Sequence, residues 1–177
     1  MKVHHQSHPD MQRLGDRLEG QRIAMLTLRE PSGRLDARPL TPLEMDASGA
    51  VWMLVSHKSL APYLGVGAQP ANLAFTDEGK SLYVSIVGSA RLVDDAARRQ
   101  ALWTVMARPW FSGADDPDLA VLCVQPESAE VWDGPDSSVM RMLAMAASVA
   151  AGKPIGLGEH EVVTAHAGAS ALRPKMN

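Results

Sequence analysis

Apolar residues along this chain recur at the period of strands more often than at that of helices. The plainest instance is Ala50-Val51-Trp52-Met53-Leu54-Val55, an almost unbroken apolar run of the kind that a strand buried on both faces requires. It stops abruptly at Ser56-His57-Lys58-Ser59. Leu60, Tyr63 and Leu64 then fall three and four residues apart, which predicts a short helix. A strand running into a hydroxyl- and lysine-bearing turn that opens a helix has two readings. Either Ser56 or Ser59 caps the helix, or the turn binds an anion, since first-turn N–H groups lack partners and the helix dipole favours negative charge.

The same patterning predicts strands at 22–29, 34–45, 71–76, 81–93, 119–125 and 128–132, and helices at 10–20, 96–107 and 137–151. Pro39 and Pro42 forbid full pairing of the 34–45 segment, so it belongs at an edge or a bulge, where backbone groups are free to meet a ligand. Gly88, in the middle of a long strand, predicts a bulge or a close approach by another backbone. Met140, Leu143, Ala144 and Ala147 share a face of the last helix and read as packing. Six or seven strands, tight turns and few helices predict a mainly β fold with flanking α, an antiparallel barrel rather than a βαβ sheet. Residues 1–9 read as a disordered N-terminus, 10–135 as the domain, and 136–177 as a C-terminal helix followed by an extended or mobile tail.

Composition narrows the function. The net charge is −3 with no basic stripe, which speaks against nucleic acid as the main partner. No apolar run approaches the roughly 20 residues of a membrane span, and no apolar leader follows the first residues. The one cysteine, Cys123, lies in an apolar run, reads as a buried hydrophobe, and fits a reducing, cytoplasmic setting. No GxGxxG, Walker A, GxSxG, HExxH or paired CxxC sequence occurs. No metal site is predicted: Asp115-Asp116-Pro117-Asp118 reads as a capping loop in preference to a cation site. Trp110 and Phe111 read as a plug closing one barrel end, with a ligand platform as the other possibility. Arg38, on the strand preceding the apolar run, forms with the 56–59 turn a candidate grip on a phosphate; a surface arginine paired with an acid is the plain alternative.

Five segments then occur in a telling order: Ala37-Arg38-Pro39-Leu40, Val51 to Ser56, Tyr83 to Ala90, Trp110 to Asp118, and Glu130-Val131-Trp132-Asp133-Gly134. Together they resemble the bacterial general stress proteins of the pyridoxamine 5′-phosphate oxidase-like, FMN-binding split-barrel superfamily. The resemblance implies a six-stranded antiparallel Greek-key split β-barrel and a homodimer with a flavin, FMN or FAD, at the subunit interface. By that resemblance Arg38 holds the flavin phosphate, and Pro39, Leu40, Thr41, Leu54, Val55 and Ser56 lie along the isoalloxazine ring. The turn carrying Ser56, Lys58 and Ser59 holds the phosphate from the other side, Tyr83 and Ser85 face the partner's cofactor, and Trp132 lies near the ring. It also implies a stress-related flavin-dependent oxidoreductase, with the catalytic residues unassigned.

Two departures qualify the expectation. Val55 stands where the family's threonine would be and Ala61 where its lysine would be, so Lys58 is left as a substitute charge. Trp132 is followed by Asp133 and Gly134, not by the arginine and histidine that bind substrate in the pyridoxamine-phosphate oxidases, so that activity is not expected. The other reading is a non-catalytic binding or sensor module whose cofactor is lost or altered, for instance a deazaflavin or a heme.

Overall fold

Strands begin where β-branched and large apolar residues alternate and end where Gly, Pro, Asn or Asp cluster. The computed structural model describes residues 1–134, 138–153 and 159–164. In chain order the elements are β1 (Lys2–Val3), α1 (Pro9–Leu18), β2 (Ala24–Arg29), β3 (Leu35–Leu40), β4 (Pro42–Met45), β5 (Val51–Ser56), α2 (His57–Leu64), β6 (Gln69–Asp77) and β7 (Leu82–Val93). There follow α3 (Ala96–Leu102), a 3-10 turn (Val105–Ala107), β8 (Leu119–Asp133), α4 (Ser138–Ala151) and β9 (Glu159–Thr164). The fold is mainly β, as expected: one sheet holds all nine of these strands in the order β1-β4-β5-β8-β7-β6-β2-β3, with β9 added beside β8. Every pairing is antiparallel except that of β1 with β4.

The strand count exceeds the expected six for identifiable reasons. The 34–45 segment is two strands: among the described residues β3 pairs only with β2, whereas β4 pairs with β5 at the far side of the sheet, and Thr41 alone joins them. Conversely, 119–125 and 128–132 are one strand. Pro126 is tolerated inside it because β5 pairing ends at Val124, β9 pairing begins at Ser128, and the β7 register slips between Val87 and Gly88. Gly88 lies against this bulge; a Cβ there would sit 2.1 Å from the Gln125 carbonyl oxygen, so the close backbone approach is real. Residues 1–9, expected to be disordered, are placed: β1 hydrogen-bonds along β4, and buried Gln6 donates to the His4 and Asp46 carbonyls. Within the tail, β9 pairs along six residues of β8.

The core lies on the concave side of the sheet. Leu26, Leu73, Phe75, Ile86, Met53 and Leu122 are fully buried there, closed over by Leu14 and Leu18 of α1 and Leu60 and Leu64 of α2. Cys123 is buried on the opposite face of the sheet, where it stands between Trp52 and Arg91, and burial pushes its thiol pKa up, which fits an inert packing residue. The helix expected at 96–107 ends at Leu102, with Asp95 capping the Arg98 N–H and the 3-10 turn following. On α4, Leu143 and Ala147 are exposed in the single chain, so the packing expected of that face is not made by them within it; the side chains of Met140 and Ala144 lie outside the described residues.

Candidate functional site

The seam where β3 fails to pair with β4 or β5 is a cleft of about 480 Å³. One wall is Arg38, Pro39 and Leu40 of β3 with Thr41 and Leu43; the other is Leu54, Val55 and Ser56 of β5. Ser59 and Leu60 of α2 form one end. The segment between α3 and β8 contributes Thr104, Met106, Ala107, Trp110, Phe111 and Asp118. Each wall follows from local sequence. β3 ends the hydrogen-bonded path, and Pro39 within it carries no N–H to donate, which suits an edge strand. β5 has paired neighbours on both sides, and alternation leaves Leu54 and Ser56 partly exposed on the face opposite Met53 and Val55.

Arg38 stands opposite Leu26 in the β2–β3 register and so points to the concave side, beneath α2. Its Nη1 donates to the Ser59 hydroxyl at 3.0 Å and the Ser59 carbonyl at 3.3 Å, and its Nη2 to Asp36. The guanidinium carbon lies 4.3 Å from the centroid of the Tyr63 ring. The Tyr63 hydroxyl also donates to Asp36, at 2.8 Å, and with Arg38 holds that carboxyl below its ordinary pKa. The guanidinium is thus positioned by a hydroxyl, a carboxylate and an aromatic face.

The start of α2 is filled from within the protein. Ser56 is the N-cap, its Oγ accepting the Ser59 N–H at 3.2 Å. The Ser56 hydroxyl donates to Asp118 Oδ2 at 2.7 Å, and Asp118 Oδ1 accepts the Lys58 N–H at 2.9 Å. The Asp118 backbone carbonyl accepts the His57 N–H at 2.7 Å. The Lys58 N–H, then the Ser56 hydroxyl, keep the Asp118 carboxyl below its ordinary pKa, and the Lys58 charge adds to this against a smaller opposing burial effect. Asp116 caps its own loop by accepting from the Ser112 N–H and hydroxyl and the Asp118 N–H.

Eight of the site residues singled out from the sequence line this one cleft: Arg38, Pro39, Leu40, Thr41, Leu54, Val55, Ser56 and Ser59. Lys58 contributes its backbone N–H to Asp118 and is not part of the lining. Tyr83, Ser85 and Trp132 lie elsewhere, on the convex face of the sheet. Tyr83 stands opposite Trp132, Ser85 accepts from Asn72 at 2.7 Å, and Trp132 stacks on His160 with ring centroids 5.0 Å apart. Trp110 and Phe111 line the cleft, and Trp110 is 76% exposed, so the plug expected from the sequence is instead part of the wall. Asp118 does cap α2, as expected of its loop, but the sequence does not single it out as a cleft residue. Nothing local separates it from Asp115 and Asp116; only the pairing of Ser56 with Leu119 sets it beside α2.

Comparison with known proteins agrees with this architecture. The pyridoxamine 5′-phosphate oxidase like family matches residues 9–155, and the chain belongs to that family. The chain is similar to general stress protein 26 of Bacillus subtilis (strain 168), with 31% identity over 51 residues, 29% of this chain and 36% of that protein's length. A crystal structure assigned to general stress protein 26 of Jannaschia sp. CCS1 superposes with a TM-score of 0.69 and 28% identity, covering 84% of this chain and 94% of the other. The general stress FMN/FAD binding protein of Xanthomonas citri gives 0.59 and 33% identity over 68% of this chain and 86% of its own.

Proposed function

We propose that the seam cleft holds a flavin, FMN or FAD, and that the protein is a homodimeric, cytoplasmic flavin-dependent oxidoreductase acting on substrates other than vitamin B6 phosphates. The observation that carries the reading is that eight residues which the family resemblance assigns to a flavin, from β3, Thr41, β5 and α2, line one open-edged cleft. A volume of about 480 Å³ is in the range of cofactor sites. Leu40, Leu54, Met106 and Phe111 offer apolar surface to a planar ring, and the unpaired backbone of β3 offers N–H and C=O groups to its polar edge. A bound flavin supplies the electron-transfer chemistry; this chain orients it and excludes water. Arg38 is the cation in the lining and the residue assigned to the phosphate. The absence of an arginine and histidine after Trp132 supports a substrate other than pyridoxamine phosphate.

Dimerisation is supported by the convex face, where Met25, Tyr83, Val87 and Trp132 are exposed on paired strands. On this reading Tyr83, Ser85 and Trp132 face a second copy, outside the cleft of their own chain.

The direct test is the visible spectrum of purified protein with FMN and with FAD, together with a thermal shift for each, since a ligand bound only by the native state raises the melting temperature. Flavin-induced stabilisation that Arg38→Ala removes is expected. Failure of both flavins to bind would reject the reading. Val55 and Ala61 favour a second reading, a sensor module, and stabilisation by deazaflavin or heme alone would establish it.

A further inference from the structure

The helix start assigned to phosphate binding is already occupied by the protein's own anion. The N–H groups of His57, Lys58 and Ser59 are taken by the Asp118 carbonyl, the Asp118 carboxylate and the Ser56 hydroxyl, in that order. The Ser56 hydroxyl hydrogen is directed at the same carboxylate. A phosphate arriving here would meet no unpaired first-turn donor and would face a fixed negative charge. The surrounding charges do not offset this: Arg38 is bound to Asp36, and Lys58 lies where its charge lowers the pKa of Asp116 and Asp118. Asp36 therefore holds the cleft's guanidinium, while Asp118 holds the start of α2. Ala61, in the position where a lysine was expected, supplies no charge.

We propose that Asp118 is a specificity-determining residue of the seam cleft: its carboxylate occupies the anion position at the start of α2, so the cleft takes a flavin ring with no gain from a terminal phosphomonoester, and riboflavin binds as tightly as FMN. This rests on the flavin reading of the cleft. It assigns the binding free energy to the ring end, where the apolar walls and the open β3 backbone lie, and makes Asp118 the element that withholds the helix dipole from the ligand's tail. Arg38 with Ser59 remains as a donor pair to the ribityl hydroxyls, which riboflavin and FMN share.

The test is titration of riboflavin and of FMN, followed by flavin fluorescence, for the native chain, Asp118→Asn and Asp118→Ala. The asparagine keeps an acceptor for the Lys58 N–H and removes the charge; the alanine vacates the position. The native chain is expected to bind the two flavins within about three-fold of each other, and the variants to tighten FMN by about ten-fold with riboflavin unchanged, the scale of a charge-assisted bond at a freed helix terminus. A native preference for FMN of that size, or an FMN-to-riboflavin ratio the same in all three proteins, would overturn the proposal. If no flavin binds to any of them, the flavin reading fails and inorganic phosphate alone decides the role of Asp118. Saturable amide shifts at His57, Lys58 and Ser59 in either variant but not in the native chain support it, and identical spectra in all three reject it. Circular dichroism melts of both variants check that each is folded.

Discussion

Ser56 does two things at one position: its oxygen caps α2 and its hydroxyl hydrogen fixes Asp118. Replacement by alanine removes both and is expected to lower stability by about 1 kcal/mol, the usual loss for an N-cap, measurable by urea denaturation. Asp118 gives the same corner a pH dependence. Its folded pKa lies below the unfolded value, so the stability it contributes is present above the unfolded value of about 3.9 and is lost as pH falls through the folded pKa. The melting temperature of the native chain should therefore fall below about pH 4, and that of Asp118→Asn should fall less steeply. At this scale the sequence was partly readable. Arg38 and Ser56 declared themselves, one beside a proline and the other at a strand-to-helix junction. Asp118 did not, because its role depends on a partner 62 residues away in the chain.

Elements were most legible where backbone chemistry constrains them. Proline lacks a donor, so Pro39 and Pro42 marked the open edge at which β3 gives way to β4. Gly88 marked a close approach for a steric reason: the Gln125 carbonyl leaves no room for a Cβ. Gly88→Ala must therefore displace β7 or β8, and a loss of about 3 kcal/mol is expected in chemical denaturation, at the upper end of ordinary substitutions. The misread elements share a different cause. The sequence predicts separate strands at 119–125 and 128–132, but Pro126 between them lies where the neighbours of β8 change, and such a handover leaves no local trace. β1 and β9 are short strands recruited by β4 and β8, so their formation is tertiary and their own sequences do not announce it.

Across the whole molecule the concave core and the seam have separate determinants. Phe75→Ala, in the middle of the buried face, should cost about 3–5 kcal/mol by cavity formation and would be read as a lower urea midpoint. If the convex face forms the proposed dimer, Val87→Glu should leave the monomer's melting behaviour nearly unchanged and shift sedimentation towards a smaller species, since Val87 is exposed in the single chain; unchanged sedimentation would reject that interface. The barrel class was legible from strand number and turn density. The seam was not, because which strands stay unpaired depends on the order in which all of them assemble.

The link at Thr41 has a mechanical consequence. The cleft's two walls, β3 and β5, belong to opposite ends of one hydrogen-bonded path, so the sheet is a bent spring and the cleft is the gap in its coil. Any change of twist summed over the intervening strands alters the width of that gap, and a rigid planar molecule wedged into it resists such changes everywhere along the coil. Ligand binding should therefore slow amide hydrogen exchange in β6 and β7, strands that supply no residue to the lining. Protection confined to residues touching the ligand would show that the sheet bends locally instead of as a single spring.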